Sequence, residues 1–150
     1  TPKPSSAASD VYKRQLQYGF SQAVEVRGGR RLLLSGQVGV DEQERTVGPG
    51  LREQTEQAFD NIARVLAEAG GRLADVAMLR IYIAEAARNQ QEHISAVLLE
   101  RFASQPPASS WIIVSGLSLP EWLIEVEAEA VLEERHQVAE AALFTPARAL

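Results

Sequence analysis

The alternation of apolar and polar positions early in the chain predicts two strands. Residues 23–28 alternate small apolar and polar side chains and run into Gly28-Gly29, a dipeptide typical of hairpin turns. Residues 30–40 form a second extended run, and Gly36 within it indicates a bulge or a close approach of the backbone to another group. We therefore expect an antiparallel pair of strands that ends in a glycine-bearing segment.

A helical period follows the charged loop at residues 41–50. Apolar residues recur on one stripe of a helical wheel, and Gly70-Gly71 supplies the stop signal at the end of the helix. The stripe consists of Leu51, Ala58, Phe59, Ile62, Val65, Leu66 and Ala69. Residues 76–84 then return to the strand period. One face of this strand is predicted to carry Val76, Met78, Arg80 and Tyr82.

The last third of the chain adds a helix and two strands. The helix covers about residues 86–103 and ends before Pro106-Pro107, because neither proline can donate a backbone hydrogen bond. The strands are predicted at residues 110–117 and 122–132, where β-branched and aromatic side chains are frequent. In the second strand the apolar residues share one face. The opposite face carries three acidic residues: Glu125, Glu127 and Glu129.

These elements follow the order ββαβαββ, which predicts an α+β domain with one mixed sheet and two helices on a single face. On the uncovered face, the glutamates of the last strand lie opposite Arg80 and Tyr82. Charged and large apolar side chains together are typical of a face that meets another subunit. From the residues alone, Glu125 has two interpretations: it is a catalytic carboxylate, or it pairs with an arginine such as Arg80.

The length of 150 residues corresponds to about one domain. Residues 1–15 are rich in proline and serine, and we interpret them as a tail or an artefact. We place a single domain at residues 16–133 and a C-terminal extension at residues 134–150.

Composition excludes several classes of function. Twenty acidic and 15 basic residues give a net charge of -5, which argues against a nucleic-acid partner. The chain has no cysteine and only two histidines, so we expect no metal site. Because no apolar run is long enough to cross a membrane, we expect a cytoplasmic protein without a membrane partner.

Two hydrolytic mechanisms have little support in the sequence. A serine nucleophile at Ser35, Ser109 or Ser110 needs a base, and the usual candidates are limited to His93 and His136. Paired carboxylates are also typical of glycoside hydrolases, but no aromatic platform for a sugar accompanies them here.

Several short motifs occur in a characteristic order between residues 18 and 132. They are Phe20-Ser21-Gln22-Ala23-Val24, Ser35-Gly36-Gln37-Val38-Gly39-Val40-Asp41, Gln54-Thr55 with Gln57-Ala58-Phe59 and Asn61-Ile62, and Leu123-Ile124-Glu125-Val126-Glu127-Ala128. Together they resemble the RidA/YjgF family of reactive-intermediate imine/enamine deaminases. The resemblance implies a chorismate-mutase-like subunit in a homotrimer, with a small molecule bound in clefts between subunits. It also implies hydrolysis of 2-imino or 2-enamino acids to keto acids and ammonia, without a cofactor.

The resemblance assigns roles to individual residues. Glu125 matches the glutamate that positions the attacking water or moves a proton, and Ser35 and Gly36 match residues that line the cleft. Phe20 stands where the family usually has tyrosine, so its hydroxyl is missing. Ser109 stands where active deaminases have the arginine that binds the substrate carboxylate.

The neighbours of Ser109 complete the predicted site. Ser110 is expected to hold the substrate together with Ser109, and Trp111 is a further candidate for the cleft, whereas Ser95 is the nearest match to a cleft asparagine. Another arginine, such as Arg80 or Arg52, could replace the missing one. We therefore expect an imine or enamine hydrolase with an altered substrate range. The alternative is a homotrimer that binds metabolites or protects proteins without catalysis.

Overall fold

A computed structural model describes residues 18–103 and 105–134, which form one sheet with helices on one side. The strands are β1 (Arg30–Val38), β2 (Val76–Ala84), β3 (Ala108–Val114) and β4 (Ile124–Leu132), and the helices are α1 (Leu51–Glu68) and α2 (Glu92–Phe102). Short 3-10 segments at Leu73–Asp75 and Glu85–Gln90 precede β2 and α2. The predicted tail at residues 1–15 lies outside the described residues, as does all but the first residue of the predicted extension at 134–150.

The sheet has the strand order β1-β4-β2-β3. Its outer pair β1–β4 and its central pair β4–β2 are antiparallel, whereas β2 and β3 are parallel and are connected through α2. This arrangement confirms the α+β class and the mixed sheet. In the described part of the chain, neither helix is both long and apolar enough to cross a membrane.

The core lies between the helices and one face of the sheet. Phe59 of α1 meets Phe102 of α2 edge to face, with ring centroids 5.7 Å apart. The predicted alternation of β4 is confirmed, because every second residue from Ile124 to Leu132 is buried and the glutamates are on the opposite face. Val76 differs from the prediction: a shift of register between Val76 and Met78 turns its side chain into the core.

Helix α1 ends at the glycines that the sequence predicted. Gly70 has a φ of +80°, a conformation that glycine adopts without the penalty of a Cβ atom. Its N–H donates to the carbonyl of Ala67, and the N–H of Gly71 donates to the carbonyl of Leu66. This pair of bonds is the Schellman motif, which satisfies carbonyls that the helix leaves without partners.

The predicted first strand at residues 23–28 is absent, so the strand and helix order is βαβαββ and the predicted ββαβαββ is wrong in this detail. Ser21 bridges to Ala108 at the β3 edge of the sheet, whereas Arg30 begins β1 at the opposite edge. The segment between them therefore passes from one edge of the sheet to the other, and Val24 and Val26 lie beside Arg80 and Glu129 of the uncovered face. Gly28 and Gly29 do adopt positive φ values, but they turn the chain into β1 without forming a hairpin.

Other boundaries also differ from the predictions: the first strand ends at Val38, and the last begins at Ile124. The helix expected at residues 86–103 consists of the 3-10 segment Glu85–Gln90 followed by α2. The strand expected at residues 110–117 begins earlier, at Ala108, because this part of the chain pairs in parallel with β2 from Met78 onward.

Candidate functional site

Glu125 is the second residue of β4 and lies between two neighbouring strands. It pairs with Val38 of β1 on one side and with Tyr82 of β2 on the other. Gly36 lies within the irregular part of β1, and a Cβ atom at this position would be 2.7 Å from Cδ and Oε2 of Glu125. The missing side chain of Gly36 therefore makes room for the Glu125 carboxylate, which confirms the predicted close approach.

The glutamates of β4 differ in their partners. Oε1 of Glu129 lies 3.7 Å from Nη2 of Arg31 and 3.9 Å from Nη1 of Arg80. Among the ion pairs formed by residues 18–103 and 105–134, none includes Glu125. Pairing with an arginine therefore accounts for Glu129 but does not account for Glu125.

Tyr82 faces the same row of glutamates. Its hydrogen bond to the Glu127 carboxylate raises the pKa of the Tyr82 phenol above the ordinary value of 10.0, because a carboxylate accepts this bond only from the neutral phenol. Partial removal from water and the negative charge of Glu125 act in the same direction, whereas the charge of Arg80 opposes them. At physiological pH, Tyr82 is therefore neutral, and it pairs with Glu125 on the neighbouring strand.

We expect Tyr82 to ionise above pH 10, and the substitution Glu127→Gln to lower its pKa. The ultraviolet absorbance of phenolate measures this ionisation as the pH is raised, and a Tyr82→Phe titration identifies the contribution of Tyr82. The folded state favours the neutral phenol. The stability from this group is therefore present below the unfolded-state pKa and is lost as the pH rises through the folded-state pKa. Identical titrations of Tyr82 in the unsubstituted protein and in the Glu127→Gln variant would contradict the assignment.

A second group of predicted residues meets around a cavity of about 670 Å³ between the N-terminal segment, the start of α2 and β3. The rings of Phe20 and Trp111 are 6.1 Å apart and inclined by 60°. Nε1–H of Trp111 donates to Oγ of Ser109 over 2.9 Å. Among the residues that the structure describes, the lining is Tyr18, Phe20, Gln91, Glu92, Ser95, Ser109 and Trp111.

These two groups lie on opposite faces of the sheet. Ser109 pairs with Leu79, whose side chain is buried in the core beneath the helices, whereas Glu125 pairs with Tyr82 on the uncovered face. Residues directly opposite one another on neighbouring strands point to the same face. Within one chain, the cavity around Ser109 and the Glu125 carboxylate therefore cannot form a single site.

Ser110 and Ser35 lie apart from the cavity. Ser110 pairs with Arg80 on the uncovered face, so within one chain its side chain is on the opposite face of the sheet from Ser109. Ser35 is exposed, and its carbonyl accepts a hydrogen bond from the side chain of Gln37. In the described part of the chain no serine bonds to His93, and His136 lies outside it.

The comparisons with known proteins agree with the motifs. The family model described as Endoribonuclease L-PSP matches residues 13–132. A solved structure of a Rid-family protein, YyfB from Yersinia pestis, is 39% identical, and the match covers 79% of this chain and 90% of that one with a TM-score of 0.74. The chain belongs to the RidA/YjgF family.

Other relatives in the RidA/YjgF family are more distant. A solved structure of a YjgF-family member from Mycobacterium tuberculosis is 28% identical, with a TM-score of 0.58 over 80% of this chain and 92% of that one. A protein from Dermatophagoides farinae named 2-iminobutanoate/2-iminopropanoate deaminase is 34% identical over 116 residues, which are 76% of this chain and 86% of the relative.

Sequence reasoning missed several residues that this RidA/YjgF subunit brings to the two groups. Tyr18 and Glu92 line the cavity with Phe20 and Trp111, and Tyr82 faces Glu125. Residues 18–20 lie in no strand, so no period in the sequence placed Tyr18 beside Phe20. The sequence placed Tyr82 on the same face of the sheet as the glutamates. Its pairing with Glu125 could be known only from the strand register.

Proposed function

We propose that this protein hydrolyses imines or enamines to carbonyl compounds and ammonia, with Glu125 positioning and activating the water. The observation that carries the proposal is the Glu125 carboxylate, which lies against Gly36 and forms no ion pair among the described residues. The deaminase name of the Dermatophagoides farinae relative supports the same chemistry.

The proposed reaction adds one water molecule and releases one molecule of ammonia. The water oxygen attacks the carbon of the C=N bond while the Glu125 carboxylate accepts a proton from it. That proton passes to the nitrogen as the C=N double bond opens, which gives a carbinolamine. The proton of the new hydroxyl is then transferred to the nitrogen, the C–N bond breaks with its electron pair leaving on ammonia, and the C=O bond forms. An enamine enters the same sequence after a proton is added to its carbon and the imine has formed. Proton transfer and water are sufficient for these steps, so the proposal requires no cofactor.

The positions of the described arginines support the proposal that the substrate range is altered. Nη2 of Arg52 donates to Glu100 over 2.6 Å and Nε of Arg52 donates to Glu56, so Arg52 is held on the helices. Arg80 is on the uncovered face, so within one chain it does not line the cavity around Ser109. A bidentate arginine makes two charge-assisted hydrogen bonds of about 1.5–3 kcal/mol each, so a carboxylate substrate that meets no arginine is bound at least about 10² times more weakly in the transition state.

The separation of the two groups of residues supports a site shared between subunits of a homotrimer. Glu125 would come from one copy of the chain, and the cavity with Ser109 and Trp111 would come from its neighbour. The uncovered face has the composition of an interface, because Leu33 and Ile112 are exposed there among the charged side chains. We expect this assembly in the cytoplasm, with no nucleic-acid or membrane partner.

We expect Leu33→Asp to dissociate the homotrimer, because Leu33 is 66% exposed on the face that the interface would cover. Sedimentation of the purified chain would show a mass of three chains for the unsubstituted protein and a lower mass for the variant. Leu99→Asp is the matched control, since Leu99 is 45% exposed on α2, and it should keep the trimeric mass. A trimer that survives Leu33→Asp would contradict this interface.

The loss of the arginine also supports the alternative, in which the protein binds a metabolite without turnover. One experiment separates the two functions. A pyridoxal-phosphate lyase generates 2-iminobutanoate, and keto-acid release is followed with and without this protein. We expect a modest acceleration of keto-acid release, and we expect Ser109→Arg to raise kcat/KM by about 10², because the guanidinium supplies a bidentate partner for the carboxylate. No acceleration by either protein would support binding alone.

A further inference from the structure

The cavity around Ser109 is notable for its aromatic walls. Tyr18, Phe20 and Trp111 all line it, and the last two are in contact at a tilted angle. Its volume of about 670 Å³ is in the range of pockets that bind small molecules and is larger than a four-carbon imino acid needs. Aromatic walls favour a planar ring, which can pack edge to face or in an offset stack.

The polar groups of the cavity are suited to a neutral ligand. Oγ of Ser109 already accepts a hydrogen bond from Trp111, so its own O–H is left to donate. The side chain of Gln91 donates to the carbonyl of Arg88, which leaves its amide oxygen as an acceptor. The lining thus offers a neutral donor and a neutral acceptor.

The charge of the cavity disfavours an anion. Glu92 is its one charged residue among the lining residues that the structure describes, and neither lysine nor arginine is among them. A carboxylate entering the cavity would lose water without gaining a positive partner from this lining, and it would approach the negative charge of Glu92.

We propose that this cavity binds an aromatic group without negative charge, which is the side group of the substrate. This inference rests on the proposed function for the identity of the reaction, but binding to the cavity can be measured without turnover. The substrate would then be a neutral aromatic imine or enamine and not the small anionic imino acid expected from the family.

The binding experiment compares three probes on the full chain. Phenylacetamide carries a ring and a neutral head group, phenylacetate carries the same ring and a negative charge, and acetamide lacks the ring. The fluorescence of Trp111 reports binding in a Trp122→Phe variant, because the chain has two tryptophans. We expect phenylacetamide to bind at least about tenfold more tightly than either of the other two probes.

Two substitutions test the location of the probe. Phe20→Leu should weaken phenylacetamide binding by about tenfold through loss of the aromatic contact. Ser109→Arg should reverse the preference and favour phenylacetate. Equal binding of phenylacetate and phenylacetamide by the unsubstituted cavity, or binding of neither, would overturn the inference.

The two proposals can fail separately. If phenylacetamide binds as expected but no imine is hydrolysed, the inference about the cavity stands and the proposed hydrolase is wrong. If 2-iminobutanoate is hydrolysed but the cavity shows no preference for the neutral ring, the hydrolase stands and the inference is overturned.

Discussion

Gly36→Ala should reduce imine hydrolysis by about 10², because the new Cβ atom occupies the place of the Glu125 carboxylate. The nearest atoms to this Cβ, at 2.7 Å, are at the end of the flexible Glu125 side chain. The side chain can rotate away at small cost, so the variant should fold normally while the carboxylate is displaced. The measurements are kcat/KM for imine hydrolysis and the free energy of unfolding of the same preparation.

Gly116→Ala is the matched control for this substitution. A Cβ atom at Gly116 has no neighbour within 4 Å, and this glycine has no positive φ, so neither rate nor stability should change. A Gly36→Ala variant that is as active as the Gly116→Ala variant would show that the position of the Glu125 carboxylate has no role in the reaction.

Gln54→Leu should lower the free energy of unfolding by about 3 kcal/mol, since it leaves two backbone groups without partners. Gln54 is only 1% exposed on α1, its Oε1 accepts from the N–H of Leu123, and its Nε2 donates to the carbonyl of Glu121. These bonds fix the chain just before β4 and Glu125. Urea denaturation at a fixed protein concentration measures the loss.

Gln57→Leu on the same helix provides the comparison for Gln54→Leu. The Gln57 amide donates to Asn61 one turn later on α1 and bonds to no other element among the described residues. Its replacement should cost about 1 kcal/mol or less. Equal losses for the two variants would contradict the role of Gln54 in holding the start of β4.

Much of the fold follows from local patterns in the sequence. The stripe of α1, its glycine stop and the alternation of β4 are properties of neighbouring residues, and the structure confirms all three. The segment at residues 23–28 has the same local pattern as a strand. It forms no strand, because its two ends lie at opposite edges of the sheet. The alternation of apolar and polar residues does not predict where those ends lie.

The sequence identified residues of the candidate site, but it did not predict that they lie on two faces of the sheet. The motifs identified Gly36 and Glu125, and the structure brings them into contact. They also identified Ser109 and Trp111, which the structure places around a cavity on the other face of the sheet. This division depends on strand register, which a single sequence does not specify.

The position of Tyr82 beside Glu125 also depends on strand register. In the sequence it is one of three tyrosines without a motif, and only the pairing of β2 with β4 places it directly across from Glu125. Phe20 lacks the hydroxyl of the family's tyrosine, but two tyrosines lie near the two groups of residues. Tyr18 lines the cavity, and Tyr82 pairs with Glu125 on the uncovered face.

The central claim is that the Glu125 carboxylate catalyses imine hydrolysis, and the most direct test compares two variants of β4. Keto-acid release from 2-iminobutanoate is measured with Glu125→Gln and with Glu129→Gln, which changes a glutamate on the same face that pairs with arginines. The account predicts that Glu125→Gln lowers kcat/KM by about 10² or more and that Glu129→Gln stays close to the unsubstituted protein. Full activity in the Glu125→Gln variant would contradict it.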